Sequence, residues 1–464
     1  MLRLNRYPAP RDPLATASRV RHASTAFANP DLFRTRPFVG GKWREPSQRI
    51  FREVLSPADS RAVAKISLAD DGLLHEARAA AHTAHRTLRA HPRPFRQQLL
   101  LRLSEMIDAN VPDLSRLVTL ETGKPFRLAL DETRLASSIF KHTALCNSAA
   151  AQIDPAVPPH SAFSVSTLEI PNGVCVWNAP YLSPLASLAH FLAHSLVQGN
   201  ASIIVPSPLA TLTALSFGKL SQLTNLLPGL INVLPLDSQL PDSLPPPPSE
   251  KHYVIIQDVQ DTSVLLEEIS AKLPHMQSLH LIINENCYQQ VKQDLIQVFN
   301  SPEFLQIGNP FDESNHFGPL ANVADLLFTK QLIMENGHFN ILNTLPDTVF
   351  KEGNFFLPMI IDNILPEMDI FTRPIVSPIV TLTKFLTPAE VTRLFPDTPA
   401  SNESHTRVTL FSNNYDFVEK MSTALNVDTI TINSFVTPYI LPGVLHYKSL
   451  SANPFSRQKY IIKK

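Results

Sequence analysis

A two-part α/β fold is predicted for this chain by three features. The first is a strand, helix, strand, helix, strand succession between about Phe163 and Leu234. The second is a longer region of mixed strands and helices from Tyr253 to about Asn433, and the third is a Pro-rich stretch at 236–250 that separates the two. Alternation of buried strands with helices is the pattern of a doubly wound parallel sheet. A chain of 464 residues is long enough for more than one core.

Taken in order, Met1 to about Phe27 carries Arg3, Arg6, Arg11, Arg19 and Arg21 against one acid, Asp12. Arg-rich, Ser/Ala-rich and acid-poor is the composition of a mitochondrial transit peptide, so residues 1–30 are expected to be a leader and the protein to reside in the mitochondrial matrix. Phe38 to Trp43 is a short strand and turn around Gly40-Gly41. From Gly72 to Ala151 the pattern is helical, with Leu99, Leu100, Leu103, Met106 and Ile107 at three- and four-residue spacing. Gly123 before Lys124-Pro125 stops a helix inside that stretch. Phe163 to Val176 alternates and then becomes apolar, as a hairpin leading to a buried strand does.

Helices are predicted over Leu185 to Val197 and Thr211 to Leu227, and strands over Ala201 to Val205 and Ile231 to Leu234. Residues 236–250 contain Pro245 to Pro248 and are expected to hold neither a helix nor a central strand. Strands resume at Tyr253 to Ile256 and Leu279 to Ile283, a helix at Cys287 to Phe299, and a last strand at Thr429 to Asn433.

Composition limits the chemistry. Net charge is −1 with Lys and Arg dispersed, so no nucleic-acid face is expected, and no apolar run is long enough to span a membrane. An average chain of this length would hold about 32 glycines; this one has 13, beside 41 prolines. Loops that cradle phosphates need glycine, so few such loops can exist here. Cys146, Cys175 and Cys287 have no metal-ligand or redox spacing and are read as structural thiols, with no metal expected.

Several ordered motifs run along the chain: Val39-Gly40-Gly41-Lys42-Trp43, Leu120-Glu121-Thr122-Gly123-Lys124-Pro125, Gly173 to Pro180, Gly199-Asn200, Leu227 to Val233, Gly308-Asn309-Pro310 with Gly318-Pro319-Leu320, Gly353 to Pro358, and Ile430 to Asn433. In these the chain resembles the NAD(P)-dependent aldehyde dehydrogenase superfamily, from roughly Pro37 to the C-terminus. The resemblance implies a Rossmann-like cofactor domain, here truncated (36–150 and 172–246), and a catalytic-like α/β domain (247–436). It also implies oligomerisation elements at 151–171 and 437–464, and hence homo-oligomers or hetero-oligomers with related subunits.

The same resemblance sets residue-level demands. A cysteine attacks the aldehyde, an Asn stabilises the oxyanion, hydride passes to NAD(P), and a Glu activates water. Asn178 falls on the oxyanion Asn and is retained. His275 falls on the cysteine, and no cysteine lies between Lys251 and Asn286. Pro247 falls on the general-base Glu, with Glu250 displaced by three residues. Vestigial cofactor contacts are Trp177 and Ser207. The latter is in Val205-Pro206-Ser207-Pro208, which lacks the lysine and glutamate that hold the adenosine ribose, and Pro374 to Pro378 replaces the motif whose glutamate holds the nicotinamide ribose. The expectation is therefore a degenerate member, inactive and without cofactor, with a scaffold or assembly role. The alternative is a diverged active NAD(P)-dependent dehydrogenase that oxidises an aldehyde to an acid, or an esterase, using His275 or an unrecognised group.

Overall fold

Burial of regularly spaced apolar side chains builds the N-terminal half around four helices. In the computed structural model the described residues are 27–146, 151–153, 164–238, 249–259, 261–275, 278–335, 340–343, 353–395, 404–427, 429–434 and 455–463. Thus residues 1–26 of the expected leader, Pro247 and the chain from 435 to 454 lie outside the described residues, whereas 27–30 pack on the fold, with Phe27 buried and the Ala28 and Asn29 amides donating to the Asp113 carboxylate. Strands β1 (Phe38–Val39) and β2 (Lys42–Trp43) form a tight hairpin, and β3 (Phe51–Leu55) pairs with β4 (Ala62–Ser67).

The predicted helical stretch, interrupted at Gly123 as expected, holds four helices. Helix α1 (Asp71–Ala90) starts where the Asp70 carboxylate accepts the Leu73 amide, and buries Leu73, Ala77, Ala81, Ala84 and Leu88 on one face. The others are α2 (Arg93–Ala109), α3 (Val111–Thr122) and α4 (Phe126–Leu145). Pro92, Pro112 and Pro125 sit at or beside three helix starts, where a missing amide costs least. Gly123 ends α3 at φ +74°, as its place in the sequence predicts.

Strands β5 (Ala151–Ile153) and β6 (Ser164–Pro171) precede β7 (Val174–Ala179), α5 (Pro184–Gln198), β8 (Ala201–Pro206), α6 (Thr211–Leu223) and β9 (Ile231–Val233). The first sheet has the order β2-β1-β9-β8-β7, with β7, β8 and β9 parallel. Strand β8, between β9 and β7, is buried along its whole length, and α5 is buried nearly all round, because helices cover both faces.

The first strand of the second half begins earlier than the predicted Tyr253. Strand β10 (Ser249–Ile256) takes in Ser249 and Glu250, which the sequence assigned to the linker. The prolines stop at Pro248, and from Ser249 onward every residue can pair its amide with a neighbouring strand, here β15 (Ser404–Phe411). The rest includes α7 (Ser263–Lys272), β11 (Leu279–Asn284), α8 (Glu285–Phe299), α9 (Val323–Glu335), β12 (Asn340–Ile341), β13 (Met359–Asp362), β14 (Ile379–Phe385) and β16 (Thr429–Ile432), with further helices at Asp369–Thr372, Pro388–Arg393 and Tyr415–Ala424. Their sheet runs β12-β13-β14-β11-β10-β15-β16, all parallel except β12. Strand β17 (Ser456–Lys463) returns to pair antiparallel with β6, which gives a third sheet, β17-β6-β5.

The two halves meet where Gly123 approaches Gly318 and Pro319. A Cβ on Gly123 would come 2.5 Å from the Pro319 carbonyl oxygen and 2.7 Å from its Cγ. Gly123→Ala is therefore expected to cost about 2–4 kcal/mol, from the left-handed backbone and the overlap together. Urea unfolding of the variant checks this, and an unchanged midpoint would contradict the close approach.

Candidate functional site

Asn178 is set at the carboxyl end of β7 and is 6% exposed. The turn that follows it is held from below by a buried ion pair. Glu132 on α4 faces Lys124 Nζ with one oxygen, while its other oxygen accepts the amides of Leu185 (2.8 Å) and Ala186 (3.4 Å) at the start of α5. Lys124 Nζ also donates to Ser183 Oγ at 3.3 Å, and Ser183 itself takes φ +45°. The carboxylate satisfies amides that a helix start leaves without partners and complements its dipole.

Helix α6 is started the same way. Glu121 on α3 accepts the Leu212 amide at 2.6 Å, and the Thr213 amide and hydroxyl at 2.7 Å each. Burial raises its carboxyl to about 7, although those donors pull the other way. Both helix N-termini at the carboxyl ends of parallel strands β7 and β8 are thus occupied by the chain's own carboxylates. A dinucleotide pyrophosphate would need the next crossover, after β9. There the chain has residues 234–248 before β10 begins, and four of them, Pro245 to Pro248, are consecutive prolines that a crossover helix cannot hold in its interior.

Trp177 and Ser207 belong to the framework. The Trp177 ring is 1% exposed and stacked on Phe191 with centroids 4.6 Å apart. Ser207 makes the turn into α6, its amide donating to Ala179 O at 3.1 Å and its carbonyl accepting Thr211 Oγ1 at 3.0 Å.

On the other side, His275 closes a 3₁₀ turn (Leu273–His275) just before β11; its side chain lies outside the described residues, as does all of Pro247. The displaced Glu250 is fixed in β10 by pairing with β15, its side chain being likewise outside the described residues. Ser278, buried at the head of β11, donates its amide to Ile375 O at 3.2 Å. Ser377 in the same Pro374–Pro378 segment bonds Thr329 Oγ1 on α9 at 2.8 Å. One turn back on α9, Asp325 accepts the Tyr181 hydroxyl at 2.7 Å. Helix α9 thereby joins the Asn178 turn to the head of β11. Burial raises the Asp325 carboxyl, and burial with that carboxylate as neighbour pushes the Tyr181 phenol well above its ordinary value.

No thiol reaches the head of β11. Cys287 is on the first turn of α8, beyond the opposite end of that strand, its thiol donating to Asn284 O at 3.4 Å. Cys175 is inside β7, where burial raises its thiol to about 11. Cys146 follows α4, with Sγ 3.0 Å from His142 Nε2. Among the described residues no cluster of three or more His, Cys, Asp or Glu could hold a metal ion.

The Aldehyde dehydrogenase family profile matches residues 43–243 and 276–442. The chain belongs to this family. The unmatched interval, 244–275, is the one that contains Pro247 and ends on His275. A mitochondrial succinate-semialdehyde dehydrogenase of Oryza sativa subsp. japonica is 23% identical over 443 residues, covering 87% of this chain and 82% of that protein. A mitochondrial aldehyde dehydrogenase of Leishmania tarentolae is 29% identical over 185 residues, covering 39% of this chain and 36% of the relative. The crystal structure of a succinate-semialdehyde dehydrogenase from Burkholderia pseudomallei superposes with a TM-score of 0.81 at 19% identity, over 94% of this chain and 99% of that one. The chain therefore has the α/β aldehyde dehydrogenase fold that the motifs implied.

Sequence reasoning missed Glu121 and Glu132 as helix-capping carboxylates and the bridge from Tyr181 to Asp325. Glu121 was visible inside Leu120 to Pro125, but the motif reads only as a helix stop until α6 is packed beside it. Nothing local marks Asp325, which is 144 residues from Tyr181.

Proposed function

We propose that this chain is a catalytically inactive aldehyde dehydrogenase family member that serves as a scaffold or assembly subunit. One observation carries the reading: the head of β11, joined to the Asn178 turn through α9, has a histidine turn and no cysteine. Hydride loss from a covalent adduct requires sulfur's nucleophilicity and leaving ability, and an oxyanion donor alone cannot supply either. The Pro-rich sequence between β9 and β10 and the occupied starts of α5 and α6 support an absence of bound NAD(P). Retention of the β17-β6-β5 sheet supports a role in subunit association, since this is the element through which the resemblance implies oligomers. The Arg-rich start of the chain supports import into mitochondria.

Calorimetric titration of the full chain with NAD at millimolar concentration is expected to give no binding heat, and incubation with NAD and succinic semialdehyde no NADH. His275→Cys is expected to leave both results unchanged, since a thiol alone does not restore a hydride acceptor. Saturable NAD binding, or NADH in any of these mixtures, would overturn the reading. Sedimentation addresses the assembly role separately: a strictly monomeric protein that retains no aldehyde dehydrogenase subunit in pull-downs would remove it.

A further inference from the structure

Lys251 lies early in β10, the strand between β11 and β15, with its side chain half-buried. Strand alternation puts it on the same face as Tyr253, whose ring centroid is 5.1 Å from that of His280 in β11. His280 is 1% exposed; its Nδ1 is 2.7 Å from Thr381 Oγ1, and Nε2 has no hydrogen-bond partner among the described residues. Burial, with the charge of Lys251 adding to it, holds that imidazole neutral with a pKa of about 3. Beside this group, Ser278 is buried and tied to Ile375, in the segment that α9 connects to the Asn178 turn.

The amine thus occupies the end of the second sheet where the chain has lost its thiol. No carboxylate among the described residues pairs with Lys251, and desolvation alone lowers its pKa. An ammonium half removed from water without a counter-charge gives up its proton more readily, and the neutral amine is a nucleophile for carbonyl carbon.

We propose that Lys251 captures small aldehydes or ketones as an imine, so that the chain holds carbonyl compounds covalently and reversibly without oxidising them. The neutral amine adds to the carbonyl carbon and forms a C–N bond. The carbonyl oxygen then leaves as water, taking up the two hydrogens that the nitrogen gives up, and a C=N bond remains. No electrons leave the pair, so no oxidant is required, and hydrolysis by one water returns the carbonyl compound. The proposal rests on the inactive reading only in that no hydride transfer follows capture.

The full-length protein is incubated with butanal at about pH 7.5, reduced with borohydride to fix any imine as a secondary amine, and mapped by peptide mass spectrometry. Expected is butylation of Lys251 at about tenfold or more the median occupancy of the other lysines, a preference that falls when the same labelling is run at about pH 5. Lys251→Arg keeps the charge and is expected to lose the preferential label while the remaining lysines label as before. Occupancy of Lys251 at or below the median in the unmodified sequence overturns the proposal whether or not the variant folds. NADH is assayed in a parallel mixture with NAD and no borohydride. Its appearance would sink the inactive reading, while the imine is judged by the mass map alone.

Discussion

Glu132→Ala is expected to destabilise the protein by about 3–5 kcal/mol, the range for removing one partner of a buried ion pair. The side chain of Glu132 is 4% exposed and that of Lys124 11%, so the lysine left behind cannot recover its solvation in place. The loss has a second source. The same carboxylate caps α5 at Leu185 and Ala186, and alanine leaves those amides without an acceptor. Coupling separates the two sources. In Lys124→Met/Glu132→Ala the uncompensated charge is gone and only the cap is missing, so the double variant should be more stable than Glu132→Ala alone. Urea denaturation of the single and double variants measures the difference, and strict additivity would show that the pair does not act as a unit.

Glu121→Ala is expected to cost about 2–4 kcal/mol, since it strands two helix-start amides and a buried hydroxyl. Its pH signature is more specific. The folded carboxyl, at about 7, lies above its ordinary value of 4.5, so the folded chain binds this proton more tightly than the unfolded chain. The contribution is complete below about pH 4.5 and is lost as pH rises to about 7, by on the order of 3 kcal/mol, with no further change above that. Glu121→Gln removes the titration. Unfolding midpoints followed from about pH 5 to 7.5 should therefore fall less steeply for the Gln variant than for the unmodified protein. Parallel curves would mean that Glu121 does not titrate in this window.

Much of the fold was legible because it depends on local periodicity. The apolar spacing of Leu99, Leu100, Leu103 and Ile107, the uninterrupted strand at Ala201 to Val205 and the αL requirement at Gly123 each act within a few residues. Boundaries were less legible. Helix α6 ends at Leu223 rather than Leu227, because Thr224 returns its hydroxyl to Leu220 O at 2.8 Å and Asn225 takes φ +51°. The second sheet starts at Ser249 because strand pairing with β15 overrides the turn-rich context upstream.

The candidate site divides along the same line. The identities at Asn178, His275, Pro247 and Pro374 to Pro378 are sequence facts, and with them the missing thiol and the short stretch after β9 were set before any coordinate. Sequence by itself therefore determined the family, the two-part α/β fold and the side chains available for chemistry. Tertiary structure alone decided which groups meet: Glu121 with the start of α6, Glu132 with Lys124 and α5, Tyr181 with Asp325, and Lys251 with His280, with no carboxylate among the described residues paired to that lysine. The physical reason is that desolvation and hydrogen bonding act through distances of a few ångströms, which chain positions from 8 to 144 residues apart acquire only on folding.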